Sequence, residues 1–130
     1  MIIKKIVSEK VPLPIGPYSQ AVRVDNLIFL SGQLPNVPGG KDLIRGDINK
    51  EAEQVLKNIK SILEDNESSL DNVVKTTIFL KDLNDFQKVN EVYKKFFNND
   101  VLPSRSCIEV NRLPMDARIE IESIAIVKNS

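Results

Sequence analysis

Two stretches of this chain repeat their apolar residues with the period of a helix, while the other patterned stretches alternate with the period of a strand. Ala52, Val55, Leu56, Ile59, Ile62 and Leu63 make one helical stripe. Phe86, Val89, Tyr93, Phe96 and Phe97, with Val92 alongside, make the other. Strand-like segments cover residues 2–7, 21–24, 27–30, 73–80, 103–110 and 117–127. The order is therefore β-β-β-α-β-α-β-β, an α+β domain with two helices packed on one face of a mixed sheet. Two helices cover one sheet face. The opposite face still carries Val73 and Phe79 on one strand and Ile124 and Ile126 on another, with no helix left to bury them. An apolar face of that kind points to burial against another copy, so a homo-oligomer is expected.

Residues 1–130 are the length of one domain, enough to bury roughly two-thirds of the unfolded chain's surface. Asn49 is the expected N-cap of the first helix, with Glu51 and Glu53 in its first turn, and Asn66 its left-handed stop. Asn84 with Gln87 three residues on has the pattern of a capping box opening the second helix. Asp25-Asn26 is a two-residue hairpin link. Pro12, Pro14, Gly16 and Pro17 make an irregular segment leading to Tyr18, which on local grounds is a half-buried loop aromatic. Ser31-Gly32 ends a strand with small residues that let a ligand or another backbone come close. Residues 34–46 form a loop with a hairpin at Gly39-Gly40, a lid or an interface loop.

The absence of histidine removes Ser-His-Asp and Cys-His catalysis and histidine-ligated zinc, and one cysteine cannot make a thiolate metal site or an internal disulfide. Chemistry is left to carboxylate, guanidinium, hydroxyl, lysine, backbone dipoles and water. The single cysteine fits a reducing compartment. Lys+Arg and Asp+Glu balance at 18 each, so no net positive field favours nucleic acid or anionic lipid. The longest apolar run, Leu27 to Leu30, is far too short to span a bilayer, and no apolar segment follows Lys4 and Lys5 to make a signal peptide. A cytoplasmic protein is expected. Arg45-Gly46-Asp47 and Asn66-Glu67-Ser68 match an integrin tripeptide and a glycosylation acceptor, which such a setting does not use.

The densest chemistry lies in the last thirty residues. Period-two alternation puts Arg105, Cys107 and Glu109 on one face of a strand and Ser106, Ile108 and Val110 on the other. Glu120 and Glu122 lie together on the last strand, opposite Ile119 and Ile121, and Leu113 to Ala117 supply a turn around Pro114. If the two strands pair, a guanidinium, a thiol and several carboxylates share a face. That face is either solvated or an active site, and charged outer faces are ordinary. Asn90 lies on or beside the second helical stripe and needs a polar partner, in a neighbouring loop or in a pocket.

Ile15-Gly16-Pro17-Tyr18-Ser19-Gln20, Ser31-Gly32-Gln33, Val74-Lys75-Thr76-Thr77, Leu83-Asn84-Asp85-Phe86, Pro103-Ser104-Arg105-Ser106-Cys107 and Ile119-Glu120-Ile121-Glu122 together resemble the RidA/YjgF family of enamine/imine deaminases, essentially over the whole length. The resemblance implies a chorismate-mutase-like fold assembled as a homotrimer, with its sites in clefts between subunits. It also implies hydrolysis of 2-aminoacrylate and related enamines, through 2-iminopropanoate and 2-iminobutanoate, to 2-oxo acids and ammonia. Such intermediates escape from pyridoxal-phosphate enzymes, and the family's reaction uses no cofactor and no metal. In this chain Arg105 would grip the substrate carboxylate and Glu120 would orient water and move protons. Cys107 would hold substrate through its backbone, Tyr18 would close the pocket, Ser31 and Gly32 would bring backbone close, and Asn90 would contribute binding. A carboxylate-binding regulator, a ribonuclease or translation inhibitor, and a holdase are the competing readings, with nucleic acid a poor match to zero net charge.

Overall fold

The computed structural model describes residues 2–128. Strands β1 (Ile3–Ile6), β2 (Ala21–Val24) and β3 (Leu27–Gln33) come first, then helix α1 (Ile48–Glu64). Strand β4 (Val73–Leu80), helix α2 (Phe86–Phe96), strand β5 (Ser104–Glu109) and strand β6 (Ile119–Ile126) follow. The expected order β-β-β-α-β-α-β-β is the observed one. The strands form one six-stranded sheet in the order β1-β2-β3-β6-β4-β5. Every pairing is antiparallel except β4 with β5, the pair joined by the α2 crossover.

The apolar stripes of both helices close on one face of this sheet. Leu56, Ile59, Ile62 and Leu63 of α1 meet Ile28, Ile78, Leu80, Ile119 and Ile121, all fully buried. Each such side chain contributes roughly 1.5–3 kcal/mol through removal from water. The opposite face has no helix on it. Phe29 is 38% exposed and Ile108 46% exposed, with Phe79, Ile124 and Ile126 half-buried beside them. The uncovered apolar face expected from the pattern is present, with one correction. Val73 turns to the core and Val74 faces out, because a bulge between Val73 and Lys75 shifts the register against β6.

Helix entry and exit also differ from expectation by a residue or two. Asp47, not Asn49, caps α1, since its carboxylate accepts from the backbone N–H groups of Asn49 and Lys50. Its first turn therefore contains Glu51 but not Glu53. Glu67, not Asn66, takes the left-handed backbone after the helix, while the Asn66 side chain donates back to the Ile62 carbonyl. Asp82 rather than Asn84 supplies the side-chain cap before α2, on a single 3-10 turn at Leu83–Asp85. The 34–46 loop does fold as a hairpin: Asn36 bridges Leu43, and Gly39 takes a positive φ at its tip.

Glu51 is buried in α1 and accepts two hydrogen bonds from one guanidinium edge of Arg118, with Nε 3.2 Å from Oε1 and Nη2 donating to Oε2. Removing only the arginine strands a buried carboxylate. Arg118→Met is expected to lower unfolding stability by about 3 kcal/mol in urea titration, and the double change with Glu51→Met to restore most of it.

Candidate active site

Arg105 sits on β5, the edge strand, and its register partner is Thr76 on β4. Neighbours in register point to the same side, so Arg105 projects toward the helices beside α2. There its Nη1 donates to Asn90 Oδ1 at 2.7 Å. Its guanidinium carbon stands 5.4 Å from the Phe86 ring centroid and 5.0 Å from that of Tyr93. Phe86, Asn90 and Tyr93 follow the i, i+4, i+7 spacing of one helix face. Asn90 thus finds its partner in Arg105, not in a loop. Cys107 lies two residues on, half-buried against the core, and burial raises its thiol above the ordinary range despite the nearby guanidinium. A thiol held protonated is a poor nucleophile. The outer edge of β5 presents its unpaired backbone groups beside Arg105.

A second cluster forms on β3 and β6. Pairing of these strands shifts between Leu30 and Gln33, so Ser31 and Gly32 bulge. What comes close to Gly32 is Glu120: an added Cβ would overlap that side chain from Cγ to the carboxylate. Burial, with Glu122 nearby as a smaller contribution, raises the Glu120 carboxyl above the ordinary carboxylate range. Gly32 also floors a cleft of about 330 Å³ walled by Leu13, Ile15, Tyr18, Leu34 and Met115. Tyr18 is 56% exposed at its rim, more open than a half-buried loop aromatic. The buried Gln20 amide donates to the carbonyls of Ser8 and Pro12, which fixes the proline-rich wall of the cleft. Ser31 Oγ donates to the Ser19 carbonyl at 2.6 Å, so its hydroxyl holds the loop in place. Gly32→Ala is expected to displace Glu120 and lower turnover about tenfold while the fold persists, checked by kcat alongside circular dichroism.

These clusters do not share a face of the chain. β6 pairs with β3 and β4, not with β5, and Glu120 is in register with Phe79 on the helix-free face. Arg105 is in register with Thr76, on the helix side. The expectation that Arg105, Cys107 and Glu109 join Glu120 and Glu122 on one face is therefore corrected: β4 lies between the two strands, and its pleat separates their charged residues. Arg105, Asn90 and Cys107 form one group; Tyr18, Gly32 and Glu120 form another. Glu109 accepts from the Leu83 backbone N–H and has a structural role. Among the described residues no cluster of His, Cys, Asp and Glu is arranged to hold a metal ion. Among them, too, no helix is long and apolar enough to cross a membrane.

A sequence model of the family described as Endoribonuclease L-PSP matches residues 8–127. This chain belongs to that family, RidA/YjgF. A RutC family protein of Pyrococcus abyssi is 52% identical over 120 residues, spanning 92% of this chain and 94% of the relative. The mouse relative named 2-iminobutanoate/2-iminopropanoate deaminase is 48% identical, spanning 96% of this chain and 93% of its own. Among solved structures, that of Escherichia coli TdcF with bound serine superposes with a TM-score of 0.89 at 40% identity, covering 96% of this chain and 99% of that one. The mixed sheet with two helices on one face is thus the RidA/YjgF fold, as the sequence resemblance implied.

Within this RidA/YjgF chain, Phe86 and Tyr93 are the residues beside Arg105 that pattern reading counts only as scaffold. The signal was available: a polar Asn90 set between two aromatics on one helix face marks that face as more than core. Met115, in a turn with positive φ, joins the cleft wall with no comparable signal.

Proposed function

We propose that this protein hydrolyses 2-iminopropanoate, 2-iminobutanoate and the enamines that tautomerise to them, yielding 2-oxo acids and ammonia, at sites completed between copies in a homotrimer. The observation that carries this reading is the Arg105 guanidinium, a planar fork oriented by Asn90 and two aromatic rings. Such a group suits a bidentate grip on a substrate carboxylate. The mouse relative's name and the serine bound by TdcF, itself an amino acid carboxylate, agree with that chemistry.

Glu120 is the group that handles protons. Its carboxyl is raised above the ordinary carboxylate range, chiefly by burial, which favours returning a proton as well as accepting one. Water adds to the iminium carbon as Glu120 takes its proton, forming the C–O bond of a carbinolamine. Glu120 then delivers the proton to nitrogen, and as the C–N bond breaks the carbinolamine hydroxyl gives its proton back to Glu120, so that the C=O bond forms and ammonia leaves the 2-oxo acid. The balance is iminium plus water to oxo acid plus ammonia and a proton, with no redox change. The Cys107 thiol takes no covalent part, and its backbone lies beside the anchor. Tyr18 and Gly32 line the cleft, and the Glu120 side chain packs against Gly32.

Because Arg105 and Glu120 face opposite sides of one sheet, a second copy must bring them together. The uncovered apolar face with Phe29, Phe79 and Ile124 is the surface available for that assembly. In the cytoplasm the activity would protect pyridoxal-phosphate enzymes from the intermediates they release. The test is to generate 2-iminopropanoate from alanine with an amino acid oxidase and follow its disappearance. Acceleration by this protein is the expected result. RNA cleavage without imine turnover would support instead the activity named in the family description.

A further inference from the structure

We infer that Tyr93, fixed by Thr76, is a positioning residue for the carboxylate anchor: its ring holds the Arg105 guanidinium in the plane that substrate must meet. This rests on the reading of Arg105 as that anchor. Tyr93 belongs to the buried stripe of α2 and would serve the core equally well as a phenylalanine. It carries instead a hydroxyl that shares a buried hydrogen bond of 2.7 Å with Thr76 Oγ1. Thr76 is itself fully buried and is the register partner of Arg105 across the β4–β5 pairing. The strand that places the Arg105 backbone thus also pins the ring against which its side chain lies.

The consequence is directional. A free arginine side chain loses much rotamer freedom when it grips a ligand. Here three contacts hold the guanidinium before substrate arrives: Phe86 and Tyr93 against its carbon, and Asn90 on Nη1. Asn90 occupies one nitrogen, so Nε and Nη2 remain for a carboxylate, an edge suited to a two-bond grip. The rings add a cation–π attraction that grows as water leaves the closed site. Tyr93 also packs its ring against that of Phe97, 4.5 Å between centroids with the planes tilted by 35°. Burial keeps the Tyr93 phenol protonated, with its hydrogen bond to Thr76 and the guanidinium pulling the other way. A neutral hydroxyl engaged by Thr76 does not compete with substrate for the guanidinium.

Tyr93→Leu, Tyr93→Phe and Ile28→Val separate positioning from packing, each measured on the intact protein with in situ 2-iminopropanoate and with 2-oxobutanoate as a stable carboxylate ligand. Tyr93→Leu is expected to raise KM and the 2-oxobutanoate Kd about tenfold with kcat changed less than about threefold. Tyr93→Phe keeps the ring but loses the Thr76 hydrogen bond, and should raise KM by about threefold, less than Tyr93→Leu, with a lower Tm. Ile28→Val thins the core on β3, with β6 and β4 between it and the strand of Arg105, and should lower Tm while leaving KM unchanged. If KM instead tracks Tm across the three variants, or stays at the native value in Tyr93→Leu, the inference is overturned. Arg105→Ala in the same assay tests the reading beneath it. A defect there with a normal Tyr93→Leu removes only the role of Tyr93, whereas a normal Arg105→Ala removes the anchor.

Discussion

Arg105→Ala is expected to lower kcat/KM for 2-iminopropanoate by at least about 100-fold, with the oligomer intact on size-exclusion chromatography. Two charge-assisted hydrogen bonds to a carboxylate are worth roughly 1.5–3 kcal/mol each, and both go with the guanidinium. The assembly should survive because Arg105 makes its contacts within its own chain, to Asn90, Phe86 and Tyr93, away from the apolar sheet face. Arg105→Lys should recover little of the loss, because a point charge reproduces neither the planar fork nor the stacking on the rings. Loss of binding should be visible without catalysis, as weaker 2-oxobutanoate affinity by calorimetry. Native-like kinetics in Arg105→Ala would remove the carboxylate anchor from the mechanism.

Glu120→Gln is expected to lower kcat by about 100- to 1,000-fold while 2-oxobutanoate affinity changes less than about twofold, since glutamine keeps the shape against Gly32 but moves no proton. The same substitution has a second signature, in stability. The folded-state carboxyl of Glu120 is raised, chiefly by burial. Below the unfolded pKa the group is neutral in both states and costs nothing. As pH rises through the raised folded pKa, holding the ionised form in its buried site costs stability that the unfolded chain does not lose. Glutamine escapes this cost, so the variant should match the native protein's Tm in acid and exceed it at neutral pH. The native rate should fall on the acid side, as Glu120 takes up the proton and can no longer accept one from water. A variant with native turnover would exclude Glu120 from proton handling.

What pattern could and could not reach follows from the physics of each element. The helices were legible because Ala52 to Leu63 and Phe86 to Phe97 repeat an apolar stripe over several turns, a signal that local chemistry rarely mimics. Their ends were less so. Asp47, Asn49, Asp82 and Asn84 are all competent caps, and which one serves is decided by the loop entering the helix. Alternation assigned faces correctly on β6 but not at Val73 and Val74, because a bulge adds a residue without marking the sequence. Residue type alone was enough to single out Arg105 and Glu120 as candidates. Their separation was not legible, since strand order is a tertiary property: β6 inserts between β3 and β4, leaving β5 at the edge. The role of Gly32 was read as room for a ligand or a backbone, and its first occupant is the Glu120 side chain.

The central claim is that Arg105 of one copy and Glu120 of another complete a single site. Arg105→Ala and Glu120→Gln, each inactive alone, should be co-expressed with different tags and the mixed oligomers isolated through both. In a cyclic trimer that carries both variants, about one in three intersubunit sites has both native residues. Imine hydrolysis near that fraction of the native rate is the predicted result, and mixed oligomers as inactive as either parent would contradict it.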